Sequence, residues 1–230
     1  MLFPKWVNTV PTVLAMGGGG ATLMTVALVW YYFTPKFWVM GYMPEQPGAG
    51  FSHQIHAGKL GMDCRYCHTH IEESPEANIP HVSVCYGCHA EGRLNPRSYN
   101  ADRIEFVRTA YQNDEPIAWR RVHKLPDYVR NFPHHVHLQA GVSCYSCHGQ
   151  IIGMPVVFQA ESLSMGWCLE CHRAPEDHLV PPDKVTELTW VESELSERRS
   201  MSRRERRVHT SDLIAALREA PPENCGACHH

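Results

Sequence analysis

The sequence predicts a fold that is mostly α and irregular, with one N-terminal transmembrane helix and little β structure. Three observations predict it. Residues 6 to 35 carry no charge, between Lys5 and Lys36, and such a run is long enough to cross a bilayer. All ten cysteines fall in five copies of one pentapeptide. The rest of the chain offers roughly 40 residues per copy, many of them Pro, Gly, His or charged, which is too little for a conventional core. A domain of that make-up must take buried apolar surface from something other than its own side chains.

The pentapeptide is Cys-x-x-Cys-His. It occurs as Cys64-Arg65-Tyr66-Cys67-His68, Cys85-Tyr86-Gly87-Cys88-His89, Cys144-Tyr145-Ser146-Cys147-His148, Cys168-Leu169-Glu170-Cys171-His172 and Cys225-Gly226-Ala227-Cys228-His229. This is the attachment signature of a c-type haem: two thiols add to the porphyrin vinyl groups and the adjacent imidazole meets the iron. Zinc is the rival, since Cys64-x2-Cys67 and Cys85-x2-Cys88 are spaced like a zinc ribbon. Zinc does not need histidine after the second cysteine, and with 16 histidines in 230 residues five of five by chance is roughly two in a million. Disulfides closed within each Cys-x-x-Cys would be strained and redox-labile. The expected cofactor is five covalently bound haem c. The porphyrins then supply much of the buried apolar surface, and the domain should not fold without them. The formal charge of −3 omits the haem propionates and gives no sign of nucleic-acid binding.

In chain order, residues 1–36 read as a transmembrane anchor. Val13 to Phe33 spans the bilayer, and Trp30, Tyr31, Tyr32, Phe33 and Trp38 form an aromatic belt at one interface. A cleaved signal peptide is the alternative. It is opposed by the length of the segment and by the lack of a small-x-small site before the aromatic cluster. Charge sets topology only weakly. Because c-type haem is attached outside the cytoplasm, the N-terminus is expected inside and the haem domain on the periplasmic side. Gly17 to Gly20 lie within the span, where small residues let another membrane helix approach closely; plain tolerance of glycine in membrane helices is the other explanation.

Residues 37–50 form a Pro- and Gly-rich linker, and 51–131 a first dihaem module with a connecting helix over Ala101 to Asn113, using Ile104, Phe106, Val107 and Tyr111 for packing. Residues 132–182 are a second copy. Phe51-Ser52-His53-Gln54-Ile55-His56 and Phe132-Pro133-His134-His135-Val136-His137 share the pattern Phe-x-His-x-x-His, starting 13 and 12 residues before the next Cys-x-x-Cys-His. The second motif follows 21 residues on in one copy and 24 in the other, so the chain is internally duplicated. Residues 183–230 are a C-terminal segment with a helix from Lys184 to Met201. Thr210 or Ser211 caps another running to Ala220, and the fifth motif follows without its own Phe-x-His-x-x-His.

His68, His89, His148, His172 and His229 are the expected proximal iron ligands. Histidines at i and i+3 share a helical face but are offset along it, so His53 with His56, and His134 with His137, can each serve two haems as distal ligands. His123 is the candidate for the fifth, in competition with His81 and Met165, whose thioether would raise the potential of its haem. His70, His135, His178, His209 and His230 read as bystanders. With both axial positions filled no substrate reaches iron, which suits electron transfer and predicts no catalytic residue. Arg198, Arg199, Arg203, Arg204, Arg206 and Arg207 crowd within ten residues. They form either a docking surface for propionates or an acidic partner, or a solvated face with local ion pairs.

One N-terminal span, two tandem dihaem modules and a terminal fifth motif resemble the pentahaem cytochrome subunit of alternative complex III. The resemblance rests on Phe51-x-His53-x-x-His56-Ala57-Gly58, Val122-His123-x-Leu125-Pro126-Asp127 and Leu163-Ser164-Met165-Gly166-Trp167-Cys168; the modules are also similar to small cytochromes c7. It implies a quinol:electron-acceptor oxidoreductase, respiratory or photosynthetic, that replaces the bc1 complex. An iron–sulfur subunit and polytopic membrane subunits would be partners, with electrons leaving through a monohaem cytochrome or another soluble carrier. Three competing functions stand beside it. A stand-alone quinol dehydrogenase would hold its first haem against the membrane, yet thirty residues separate Phe33 from Cys64. A haem reductase needs an open iron, commonly marked by lysine in place of the motif histidine, and all five histidines are present. An extracellular haem wire is the third.

Overall fold

A computed structural model describes residues 4–33, 40–48, 50–95, 100–125, 129 and 132–229. The protein is mostly helical with almost no strand, and begins with one apolar helix. A 3-10 turn (Lys5–Thr9) leads into α1 (Val10–Phe33). Lys5–Trp30 is long and apolar enough to cross a membrane, and none of it is buried against the rest of the chain. A Cβ built on any of Gly17 to Gly20 would meet nothing within 4 Å, so that face is open. Trp30 is exposed; Trp38 and the side chains of Tyr31, Tyr32 and Phe33 lie outside the described residues.

Beyond α1 the helices are short: α2 (Cys64–Cys67), α3 (Val82–His89), α4 (Glu105–Gln112), α5 (His134–Gln139), α6 (Cys144–His148) and α7 (Met165–Arg173), then α8 (Leu188–Ser200), α9 (Arg203–His209), α10 (Ser211–Ala216) and α11 (Cys225–Cys228). Most fall below the length at which an isolated helix is stable in water, so tertiary contacts hold them. Isolated bridges pair Val129 with His229 and Val142 with Leu179.

The side-chain core is small and sits in the second half. Leu188, Val191 and Leu195 recur at i, i+3 and i+7 on α8, and Val191 and Leu195 pack with Val180, Val185, Leu138 and Ile71. Burial of one such side chain stabilises by about 2 kcal/mol. Ile71 brings the first copy into this cluster, and backbone bonds reinforce the join: His134 N–H donates to Pro75 O and His135 N–H to Ser74 O. The Gln139 side chain also donates to Glu72 O. The segment after α1 is docked too. Gly41 and Gln159 exchange backbone bonds through Tyr42, and the Gln46 side chain pairs with both backbone groups of Arg120.

Three helical expectations are corrected. The helix expected from Lys184 begins at Leu188, because Pro182–Lys184 forms a separate 3-10 turn. The stretch from Ala101 splits into a 3-10 turn (Ala101–Arg103) and α4, whose Val107 is buried and whose Tyr111 stacks on Tyr86 at 3.7 Å between centroids. The helix expected to run to Ala220 is α10, which ends at Ala216, with Leu217 extended. Two prolines follow at 221 and 222, and proline disfavours helix in the residue before it.

The arginine run makes many contacts within the chain. Four of its six members serve internal contacts: Arg203 and Arg207 both hold the buried Glu176 carboxylate, Arg206 faces Asp177, and Arg198 bonds Glu194 and Leu179 O. Arg199, Arg203, Arg204 and Arg207 are nevertheless exposed, so part of the run still faces outward.

Candidate haem-attachment sites and histidine pairs

Each Cys-x-x-Cys-His occupies a short helix, so its two thiols, at i and i+3, share one face. The residue that starts each helix repeats with the duplication. In the first motif of each copy the cap immediately precedes the cysteine: Asp63 accepts from Arg65 N–H, and Ser143 from Tyr145 N–H. In the second motif of each copy the cap stands four residues earlier: His81 accepts from Ser83 N–H, and Ser164 from Trp167 N–H. Asn224 stands at the same position directly before Cys225 but makes no side-chain cap bond. No two of the ten cysteines are joined in a disulfide. Burial raises the Cys147 thiol to about 12 and Cys171 to about 11, so these stay protonated at neutral pH.

The Phe-x-His-x-x-His segments form two matching wedges. Phe51 stands edge-on to His53 (4.8 Å between centroids, 82° between planes) and stacks on His56 (4.4 Å, 21°). Phe132 repeats this against His134 (5.1 Å, 89°) and His137 (4.7 Å, 25°). The first segment is a π-type turn (Gln54–Lys59), the second an α-helix. In both, the later histidine turns Nδ1 back to the carbonyl four residues before it, His56 to Ser52 O and His137 to Pro133 O, each at 2.9 Å.

That bond fixes the ring. A carbonyl only accepts, so Nδ1 carries the hydrogen and Nε2 keeps a lone pair for a metal. His68 does the same to Asn78 O at 2.6 Å, His134 to Pro75 O at 2.8 Å, and His172 to Pro222 O. Ligation requires a neutral ring, and burial favours that form at four of the candidate histidines. It lowers His53 to about 4, helped by His68, His56 and His123, and His148 to about 3, helped by His123 and His134. His89 and His137 are lowered for the same first reason.

The structure brings candidate proximal and distal histidines together in pairs. His56 faces His89 with centroids 5.9 Å apart, and His137 faces His172 at 6.2 Å. Two imidazoles ligating one metal, each with nitrogen about 2 Å away, place their centroids roughly 6 Å apart, so both pairs fit a bis-histidine haem. Among the described residues no three His, Cys, Asp or Glu side chains gather into a metal-ion site. His53 lies in the field of His68, and His134 in that of His148. The buried Nδ1 atoms of His53, His89 and His135 have no hydrogen-bond partner among the described residues.

His123 packs on His148, Nε2 lying 3.3 Å from Nδ1 and centroids 4.3 Å apart. Met165 is 64% exposed at the start of α7, and His81 is committed as a cap. His229 ends the described chain, bridged through its backbone to Val129. Pro126, Asp127 and His230 lie outside the described residues. The carbonyls of Ser52, Pro75, Asn78, Pro133 and Pro222 were not foreseen from sequence. A backbone acceptor carries no side-chain signature, although Pro133 and Pro222, lacking N–H groups, hinted at irregular chain.

No known family's sequence model matches the chain. The chain is similar to the multiheme cytochrome c subunit of menaquinone reductase from Nitratidesulfovibrio vulgaris, with 26% identity over 187 residues, covering 70% of this chain and 84% of that protein.

Proposed function

We propose that this chain is a membrane-anchored pentahaem cytochrome c that relays electrons within a quinol:acceptor oxidoreductase of the alternative complex III type. The observation that carries the reading is the pairing of His56 with His89 and His137 with His172, with Nδ1 of His56, His137 and His172 bonded to carbonyls so that Nε2 is left for a metal, beside five complete Cys-x-x-Cys-His motifs. Cys64, Cys67, Cys85, Cys88, Cys144, Cys147, Cys168, Cys171, Cys225 and Cys228 would hold the porphyrins. The five motif histidines, with His53, His56, His134, His137 and His123, would ligate iron. When bound, a six-coordinate haem supplies one-electron chemistry with little rearrangement. The protein's part is to fix ring orientation through Nδ1, to keep the imidazoles neutral by burial, and to exclude water from the axial sites.

The anchor is α1, with the haem domain outside the cytoplasm and the modules divided near residues 131 and 182. An iron–sulfur subunit, polytopic membrane subunits and a monohaem or soluble acceptor are the proposed partners. The test is mass spectrometry for five covalent haems together with low-temperature electron paramagnetic resonance. Five haems with only low-spin signals are expected. A high-spin signal that responds to nitrite, sulfite or hydroxylamine would favour a reductase. Gentle detergent isolation from native membranes, with identification of co-purifying subunits, tests the complex.

A second reading reverses the current. The named relative belongs to a menaquinone reductase, so electrons could run from these haems into quinone. Adding quinol to native membranes decides: prompt haem reduction supports the first reading, and haem oxidation by added quinone supports the second.

A further inference from the structure

One segment departs from the acidic balance of the chain. From Arg198 to Arg218 the sequence holds seven arginines against two carboxylates, Glu205 and Asp212, in a chain whose formal charge is −3. Arg199, Arg203, Arg204, Arg207 and Arg218 are exposed.

This face is held in shape from within. A capping box fixes the start of α9, with Ser202 and Glu205 each bonding the other's backbone. At its end the fully buried Thr210 donates its hydroxyl to Arg206 O. Glu176, its side chain 3% exposed, accepts the Nε groups of Arg203 and Arg207 on one oxygen, at 3.2 and 2.8 Å. A guanidinium carries five donors, so the contact aims both groups and uses one donor of each. Both side chains stay 58% exposed. Side chains already held in place lose less freedom when a partner arrives. Arg199 and Arg204 make no side-chain hydrogen bond or ion pair among the described residues.

Two clefts open on this face and share Arg207 and Ser211. One, of about 500 Å³, is lined by Arg203, Arg204, Arg207, Val208 and Ser211. The walls of the other, of about 730 Å³, include Arg207, Ile214, Arg218, Arg173 and His172. The basic surface therefore reaches the histidine expected to hold the iron of the fourth motif.

We infer that this arginine face is the docking surface for a small one-electron carrier protein with an acidic face, which exchanges electrons with the haem of the fourth motif. The inference rests on the reading that this motif carries haem c, and adds the surface and the charge of the partner. Arginine forks match carboxylates, and a basic surface steers an acidic partner toward it. One electron passes between the carrier and the haem iron; no bond is made and no proton moves. An anionic membrane is the competing occupant. Among the described residues Val208 is the one large apolar side chain exposed on α9 and α10, which is too little to enter a bilayer. A redox partner, unlike a lipid, also needs the nearness to His172.

Purified full-length holoprotein in phosphatidylcholine nanodiscs tests this, with a reduced, acidic [2Fe–2S] ferredoxin as the probe. Its cluster is oxidised as a ferric haem is reduced, and stopped-flow spectroscopy follows the rate, which should fall as salt is added. Arg199→Glu with Arg204→Glu leaves the Glu176 contact intact and should lower the second-order rate roughly tenfold at low salt. Lys59→Glu with Arg103→Glu makes the same change in charge on exposed residues of the first copy and should lower it by less than about twofold. Haem content and midpoint potentials should be unchanged in both variants. Equal rates in all three proteins, or equal slowing by both pairs, would overturn the docking surface. Shifted potentials in R199E/R204E alone would give these arginines to haem propionates and overturn it too. So would a slowing by phosphatidylglycerol nanodiscs that affects the unaltered protein and spares R199E/R204E, because lipid would then hold the surface. Absence of covalent haem from the fourth motif, read by peptide mass spectrometry, would instead defeat the reading on which the inference rests.

Discussion

Phe132 stacks on His137 with centroids 4.7 Å and planes 25° apart, while its edge meets His134. One ring thereby orients two imidazoles that face different motifs, and Phe51 does the same for His53 and His56. The backbone bond to Nδ1 sets the tautomer, and the phenyl ring sets the tilt. Replacing Phe132 by Leu keeps apolar bulk but loses the ring face. The expected cost is about 1 kcal/mol, read as a lower denaturant midpoint of the holoprotein. Haem content should stay at five, and the low-spin resonances of the affected haems should broaden as their rings lose a fixed orientation. Unchanged line shapes would contradict the positioning role.

Gly58 follows His56-Ala57 and lies against the chain of the other copy. A Cβ there would fall 2.4 Å from Ile152 O, a backbone atom that cannot swing away. Gly61 differs: its surroundings are open, but its φ of +67° is left-handed. Gly58→Ala should cost about 1–3 kcal/mol by overpacking, and Gly61→Ala about 1 kcal/mol from backbone strain alone. Comparing the two denaturant midpoints checks the ranking. Equal losses would mean that the copies do not approach as closely as described.

Much of this site was legible before any coordinates. The cysteines and motif histidines stand in a fixed pentapeptide, and the duplication is written in the repeated Phe-x-His-x-x-His. The pairing of His56 with His89 and of His137 with His172 was not legible, because it depends on how loops return. Nor were the carbonyl acceptors, since any residue can supply one. The partners of the arginine run were not legible for a related reason. Its charge was visible, but Glu176 lies 27 residues before Arg203 and nothing local links them. Asp63 and Ser143 could have been recognised as caps from their position before the cysteine.

The Glu176 carboxylate is buried and pushed up by that burial, but bonds from Arg207 and Arg203 outweigh it and hold the group below its ordinary value. A carboxyl with a depressed folded pKa contributes stability above its unfolded pKa, and loses it as pH falls through the folded value. The clamp joining α9 to the 3-10 turn Pro175–Asp177 should therefore be fully present at neutral pH and weaken only below about pH 4.5. Glu176→Gln should lose roughly 1–3 kcal/mol at pH 7. The difference from the unaltered protein should shrink in acid. Denaturant titrations at pH 7 and pH 4 measure it, and a pH-independent difference would rule out the charge as its source.

Three residues compete for the remaining axial position, and their surroundings separate them. His81 Nδ1 accepts from Ser83 N–H, which puts its hydrogen on Nε2, the nitrogen that would have to ligate. Met165 is 64% exposed on the first residue of its helix. His123 is buried enough for its pKa to fall to about 4 and packs directly on His148. His81→Ala should therefore cost about 1 kcal/mol as a lost cap with no change in the haem spectrum. Met165→Leu should be silent in stability and leave every midpoint potential in place. His123→Ala should alter the low-spin spectrum and shift at least one potential, since it removes either an iron ligand or the hydrogen-bond partner of one. Potentiometric titration of the three variants, followed optically, distinguishes them. A potential that drops only in Met165→Leu would instead assign the thioether to iron.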